Sequence, residues 1–102
     1  MKSVVRWTEG YSMEAETESG KLTSIYSDVA PSPMEMVLQA HAACSLIDLR
    51  VGLKDRMENV RAMWVDVEGV RADEPPRVFT SVNMHYVVEG DVPEKLVRRI
   101  LT

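Results

Sequence analysis

Between Met36 and Lys54 the chain has no proline and one glycine, Gly52. Its apolar residues there include Val37, Leu38, Ala40, Ala42, Ala43, Leu46, Ile47, Leu49 and Val51, and they fall on nearly every side of a helical wheel. A helix that is apolar nearly all round has to be covered nearly all round. The chain has 102 residues and a mass of 11.5 kDa. A folded chain of this mass exposes about 5,800 Å² of the roughly 16,700 Å² that its unfolded form would show, enough for a single core and one domain, 1–102. One thin sheet from so short a chain cannot wrap such a helix, so a second subunit is expected against it. The small-residue run Ala40, Ala42, Ala43, Cys44, Ser45 would let another helix approach closely. Two-fold symmetry makes the expected assembly a homodimer.

The start of this helix is written in Ala30-Pro-Ser-Pro-Met-Glu-Met36. Ser32 is placed to cap, Pro33 to occupy the first helical position, and Glu35 to reach back to the backbone N–H of the cap residue. The helix is expected to run to about Lys54.

Both flanks read as extended. Val4 to Thr8 predicts a first strand. From Ser12 to Glu18, Met13, Ala15 and Thr17 alternate with Glu14, Glu16 and Glu18, the period of a half-buried strand with the three carboxylates on its wet face. Ser19-Gly20 supplies a turn, and Lys21 to Asp28 returns with Leu22, Ile25 and Tyr26. Beyond the helix, Val60 to Val70 places Met63, Val65 and Val67 opposite Trp64, Asp66 and Glu68. Asp73-Glu-Pro-Pro76 forms a stiff turn, because proline cannot donate to a ladder. Arg77 to Glu89 is the second arm of a long hairpin, with Val78, Thr80, Val82, Met84, Tyr86 and Val88 on one face. Asp91-Val-Pro-Glu94 then predicts the cap of a second helix whose Leu96, Val97, Ile100 and Leu101 share a side. That helix reaches Thr102 without a stop signal, so the chain reads as ending inside an element, with a C-terminal part missing. The fold class is α+β: an N-terminal antiparallel meander, a central buried helix, a long β-hairpin and the start of a second helix.

Composition closes several functional classes. Twelve Lys and Arg against sixteen Asp and Glu give a net charge of −4 and a pI near 5.1, without the basic stripe that a nucleic-acid partner requires. No apolar run approaches the ~20 residues of a membrane span, and the N-terminus lacks a signal peptide. A single Cys cannot form an internal disulfide; with no export signal, a reducing cytoplasmic setting is expected. No cofactor or metal is expected: His85 has no companion at ligand spacing, and no Gly-rich loop precedes a helix. Trp7 and Trp64 stand alone, without the interleaved basic residues of a base-stacking surface.

Cys44 is the one candidate nucleophile, and it is expected in a buried setting. His41 at i−3 and Asp48 at i+4 share its helical face. The imidazole would favour a thiolate, whereas the carboxylate would oppose a second negative charge. A lone Cys in an Ala-rich helix also serves as inert packing, and His41 as an ordinary interface residue. Glu35 lies nine residues before Cys44, on the opposite face and ~13 Å along the axis, so on a straight helix it serves the cap and not the thiol. Any catalytic use of Glu35 needs a bend or a partner subunit. Arg77 reads equally as the partner of a buried carboxylate or as a surface charge.

The segment Ala30-Pro-Ser-Pro-Met-Glu-Met-Val-Leu-Gln-Ala-His-Ala-Ala-Cys44, followed by Ser-Leu-Ile-Asp48, resembles the OsmC/Ohr superfamily of osmotically inducible and organic-hydroperoxide-resistance proteins. Val67 to Thr80 and Met84 to Lys95 extend the likeness over nearly the whole chain, toward the branch of uncharacterised OsmC-like proteins. The resemblance implies an intertwined dimer with the Cys-bearing helices at its centre. It implies a thiol-dependent hydroperoxide reductase with Cys44 as the peroxidatic thiol and an organic hydroperoxide as substrate. A carboxylate, matched by Glu35 one position off the expected register where Met34 stands, and an arginine, for which Arg6 and Arg77 are the candidates, would assist. Active relatives carry a resolving Cys after the second helix, and this chain ends before that segment. A Cys44 sulfenic acid would therefore need an external thiol reductant or another chain. The other reading is a non-enzymatic dimer of the same fold that binds a small apolar ligand or acts as a scaffold.

Overall fold

The computed structural model describes Met1–Thr102, in two compact units, Met1–Val37 and Leu38–Thr102. One helix begins in the first unit and continues into the second.

The first unit is a three-stranded antiparallel meander of β1 (Ser3–Glu9), β2 (Ser12–Thr17) and β3 (Leu22–Ile25), in that order. Val5 pairs with Ala15, Trp7 with Met13, and Met13 with Ile25, so these apolar residues share one face, while Val4 and Leu22, both paired with Glu16, fall on the other. Arg6, Glu14 and Glu16 occupy that second face, and Arg6 forms a 3.0 Å ion pair with Glu16. Gly10 (φ +53°) and Gly20 (φ +86°) close the two turns in the left-handed region. β3 is shorter than the expected Lys21–Asp28 segment because Tyr26 itself turns left-handed (φ +58°). Its N–H then donates to the Pro31 carbonyl (2.8 Å) rather than to a strand. The capping box forms as predicted: Ser32 N–H donates to Glu35 Oε1 (2.9 Å), and Glu35 N–H donates to Ser32 Oγ (3.3 Å), opening α1 (Pro33–Gly52).

The second unit holds the rest of α1, a 3₁₀ turn at Met57–Asn59, and a two-stranded antiparallel sheet of β4 (Val60–Arg71) and β5 (Phe79–Gly90). It ends in α2 (Glu94–Leu101). Met63, Val65, Val67 and Gly69 stand opposite Val88, Tyr86, Met84 and Val82, the apolar face expected for the hairpin. Ala42, Leu49 and Leu53 form the buried core, at spacings of seven and four along one stripe. Two glycines set the packing. A Cβ on Gly69 would lie 2.5 Å from the Phe79 ring and 2.8 Å from Leu38 Cδ2, and one on Gly52 would lie 2.5 Å from Ile100 Cδ1. Bare backbone at these points is what lets Leu38 and Phe79 meet over β4 and α2 rest on the end of α1.

Two expectations are corrected. Asp91 does not cap α2: Pro93 takes the N-cap position with no side-chain bond, and Asp91 N–H donates to the Asn59 carbonyl (3.1 Å). The reason is one extra residue, since Ser32 directly precedes its proline whereas Val92 separates Asp91 from Pro93. The helix predicted to be covered nearly all round is buried within this chain only at Ala42 and Leu49. A two-stranded sheet and an eight-residue helix can cover one stripe and no more.

Candidate functional site

α1 sets the site. Cys44 lies about 200° around the helix from Ala42, so packing Ala42 and Leu49 inward turns the thiol outward, and Cys44 is exposed. This corrects the buried setting expected of it: the hairpin covers the opposite side. His41 and Asp48 flank Cys44 one turn away on either side, both exposed.

On the same outward side, Val37, Ala40, Cys44, Ile47 and Val51 succeed one another at intervals of three, four, three and four. Val37 is 53% exposed, and Ile47 and Val51 are each 62% exposed. This is the spacing of a helix–helix seam, with the thiol at its midpoint and small Ala40 one turn away. The arrangement presents a soft nucleophile bordered by aliphatic side chains on one flank and by an imidazole and a carboxylate on the other. Such a surface suits an apolar electrophile.

Glu35 is held by the cap. The Ser32 backbone N–H and then its hydroxyl stabilise the ionised carboxylate and lower its pKa from the ordinary glutamate value, which weakens it as a proton acceptor. α1 is continuous from Pro33 to Gly52, so nothing in the helix itself carries Glu35 around to Cys44. The candidate arginines are engaged elsewhere. Arg6 pairs with Glu16 on the meander. Arg77 Nε donates to the Ala72 carbonyl (3.2 Å) while Arg71 Nε donates to the Arg77 carbonyl (3.0 Å), and together they lace the hairpin loop. Of the two readings left open for Arg77, the surface one holds. His85 stands opposite Asp66 in register, and no group of three or more His, Cys, Asp and Glu residues gathers in a geometry that would hold a metal ion.

Sequence reasoning missed three features. The three-four spacing was present in the letters but hidden by a second apolar stripe on the opposite side of α1. The Gly69–Phe79–Leu38 contact depends on a register shift between Val70 and Arg71 that no residue pattern announces. Tyr11 and Tyr26, fifteen residues apart, stack with ring centroids 5.8 Å apart.

A family model described as OsmC-like protein matches residues 26–102. Protein YhfA of Escherichia coli K12 is 38% identical over 103 residues, covering 97% of this chain and 77% of that protein. Among solved structures, a protein from Aquifex aeolicus superposes with a TM-score of 0.86 at 21% identity, over 98% of this chain and 74% of that one. The OsmC-like protein from Mycoplasma pneumoniae gives 0.80 at 17% identity, over 98% and 76%. At these identities the two structures establish the likeness of fold alone.

Proposed function

The chain belongs to the OsmC-like family, and from that premise we propose that it is a thiol-dependent reductase of organic hydroperoxides with Cys44 as the peroxidatic thiol. The observation that carries this reading is the exposed Cys44 at the centre of the outward face of α1, with His41 one turn before it. His41 accepts the thiol proton, and the thiolate sulfur attacks the distal oxygen of the hydroperoxide. The O–O bond breaks, the alkoxide leaves as the alcohol after taking up a proton, and Cys44 becomes a sulfenic acid. A thiol condenses with the sulfenic acid, releasing water, and a second thiol frees Cys44 from the mixed disulfide. Glu35 contributes through the start of α1 and not by contact with the thiol.

The reading includes a homodimer paired along Val37, Ala40, Cys44, Ile47 and Val51. Within such an interface the aliphatic flank of Cys44 becomes the wall of a cleft.

The test is consumption of an organic hydroperoxide in the presence of a dithiol, for the native protein and for Cys44→Ser. Loss of turnover in the variant, with a dimedone adduct on Cys44 in the native protein after peroxide, is the expected result. Equal peroxide loss in both would overturn the enzymatic reading. The commitment of Glu35 to Ser32 favours the second reading, a scaffold or apolar-ligand binder of the same fold. Under it, no dimedone adduct forms.

A further inference from the structure

The charges around the thiol do not balance. Asp48 lies four residues after Cys44 and His41 three before it, about 40° and 60° around the helix on the same flank, and all three are exposed. At this spacing the Cβ atoms of Cys44 and Asp48 stand about 5–6 Å apart. Arg50 is the one Lys or Arg of α1, and two residues of helix turn it about 160° away from Asp48. The two ion pairs of the chain, Arg6–Glu16 and Arg98–Glu94, leave Asp48 without a cation.

Proton transfer from Cys44 to His41 does not alter this. Thiol with neutral imidazole and thiolate with imidazolium each sum to zero charge. Asp48 therefore leaves the group with one net negative charge before and after the nucleophile forms. An electrophile that reaches the sulfur comes well within the Debye length of that carboxylate, about 8 Å at physiological salt. One that carries an anionic group is repelled there and meets no Lys or Arg of α1 on this flank. An uncharged one loses nothing.

We propose that Asp48 makes the Cys44 face select uncharged electrophiles against anionic ones. For its substrate the proposal rests on the peroxidase reading, and the class is then neutral organic hydroperoxides in preference to peroxides that carry a carboxylate. Asp48 acts as a specificity residue and takes no part in the bond changes.

The experiment alkylates Cys44 with iodoacetamide and with iodoacetate, which differ by one negative charge, each rate divided by that of a small neutral thiol at equal salt. Iodoacetamide should be favoured roughly three- to tenfold after this correction, the repulsion of two unit charges about 6 Å apart beside water. Asp48→Asn, at an exposed helix position that tolerates the change, should remove most of the preference. Asp55→Asn, which takes the same charge from beyond the end of α1, should leave it intact. A change in thiolate fraction acts on both reagents alike and cancels in the ratio. The second arm compares cumene hydroperoxide with its ring-carboxylated analogue as oxidants of Cys44; the neutral peroxide should react faster, and Asp48→Asn should narrow the gap. Equal corrected rates for the two alkylating agents, a preference that survives Asp48→Asn, or one that Asp55→Asn removes to the same extent would each overturn the proposal. A preference that follows Asp48 while neither peroxide oxidises Cys44 upholds the charge selection and overturns only the peroxidase reading.

Discussion

Ile47→Asp tests the proposed pairing of two chains along α1. Ile47 is 62% exposed on the outward face of α1, between Cys44 and Val51. Were the chain complete as a monomer, an aspartate there would be an ordinary surface change, within about 0.5 kcal/mol of neutral. In a two-fold dimer the same position is buried, and its substitution counts once in each subunit. Full burial of an isoleucine side chain contributes ~1.5–3 kcal/mol, so the exposed share of Ile47 corresponds to about 1–2 kcal/mol per subunit. Truncation to alanine therefore weakens a dimer by about 2–4 kcal/mol. A carboxylate adds the desolvation of an unpaired charge, several kcal/mol for each of two ions. Ile47→Asp should accordingly raise the dimer dissociation constant by more than about a thousandfold, and Ile47→Ala by roughly thirty- to a thousandfold.

Sedimentation velocity over a dilution series reads this directly. The native protein should sediment as a dimer at micromolar concentration. Ile47→Ala should shift the dissociation midpoint, and Ile47→Asp should give monomer or unfolded chain throughout. A native protein that sediments as a folded monomer refutes the reasoning, as does an Ile47→Asp variant that dimerises like the native chain.

Gly69→Ala forces a methyl group against the Phe79 ring and Leu38, and overpacking of this kind costs about 1–3 kcal/mol. The melting temperature should fall by roughly 4–8 °C per kcal/mol, with partial recovery in Gly69→Ala/Phe79→Leu; an unchanged melting temperature would show that the contact yields freely. The lowered pKa of Glu35 has its own pH signature. The folded-state value lies below the unfolded one, so the contribution is fully present above the ordinary glutamate range and is lost as pH falls through the folded value. In denaturant titrations the stability difference between native protein and Glu35→Gln should therefore be constant above about pH 5 and shrink towards pH 3. A difference that does not vary with pH would assign Glu35 a purely geometric role.

What the sequence made legible follows the range of the interactions concerned. The Ser32–Glu35 capping box spans three residues, and the strand alternation of Met13 to Glu18 spans six, so both could be read from neighbouring letters. The apolar face of the hairpin was legible from the alternation of Met63, Val65 and Val67 on one strand and of Met84, Tyr86 and Val88 on the other. Local cues failed where one residue changed the geometry. Val92 moved Pro93 onto the cap position, and Tyr26 left the strand at a positive φ that its residue type does not advertise. Of the candidate site, the positions of Cys44, His41 and Asp48 on α1 followed from helix geometry. The exposure of Cys44 did not, because it depends on which stripe the hairpin covers.

That choice of stripe explains why α1 resisted a directional reading. Ala42, Leu49 and Leu53 form one stripe and Val37, Ala40, Cys44, Ile47 and Val51 the other, nearly opposite around the helix. Two opposed apolar stripes cancel as vectors, so the helix reads as uniformly apolar when it is in fact two-sided. The inner stripe is satisfied by the chain itself. The outer one has Val37, Ile47 and Val51 more than half exposed with the Cys44 thiol among them. Whatever covers that stripe also sets the dielectric around Cys44 and the access of peroxide to it. In the proposed dimer, thiol chemistry and assembly therefore share one helix face, and a substitution such as Ile47→Ala should alter the rate of Cys44 oxidation as well as the dissociation constant. A Cys44 whose peroxide reactivity is the same in native protein and in dissociated Ile47→Ala would separate the two and leave the outer stripe a purely structural role.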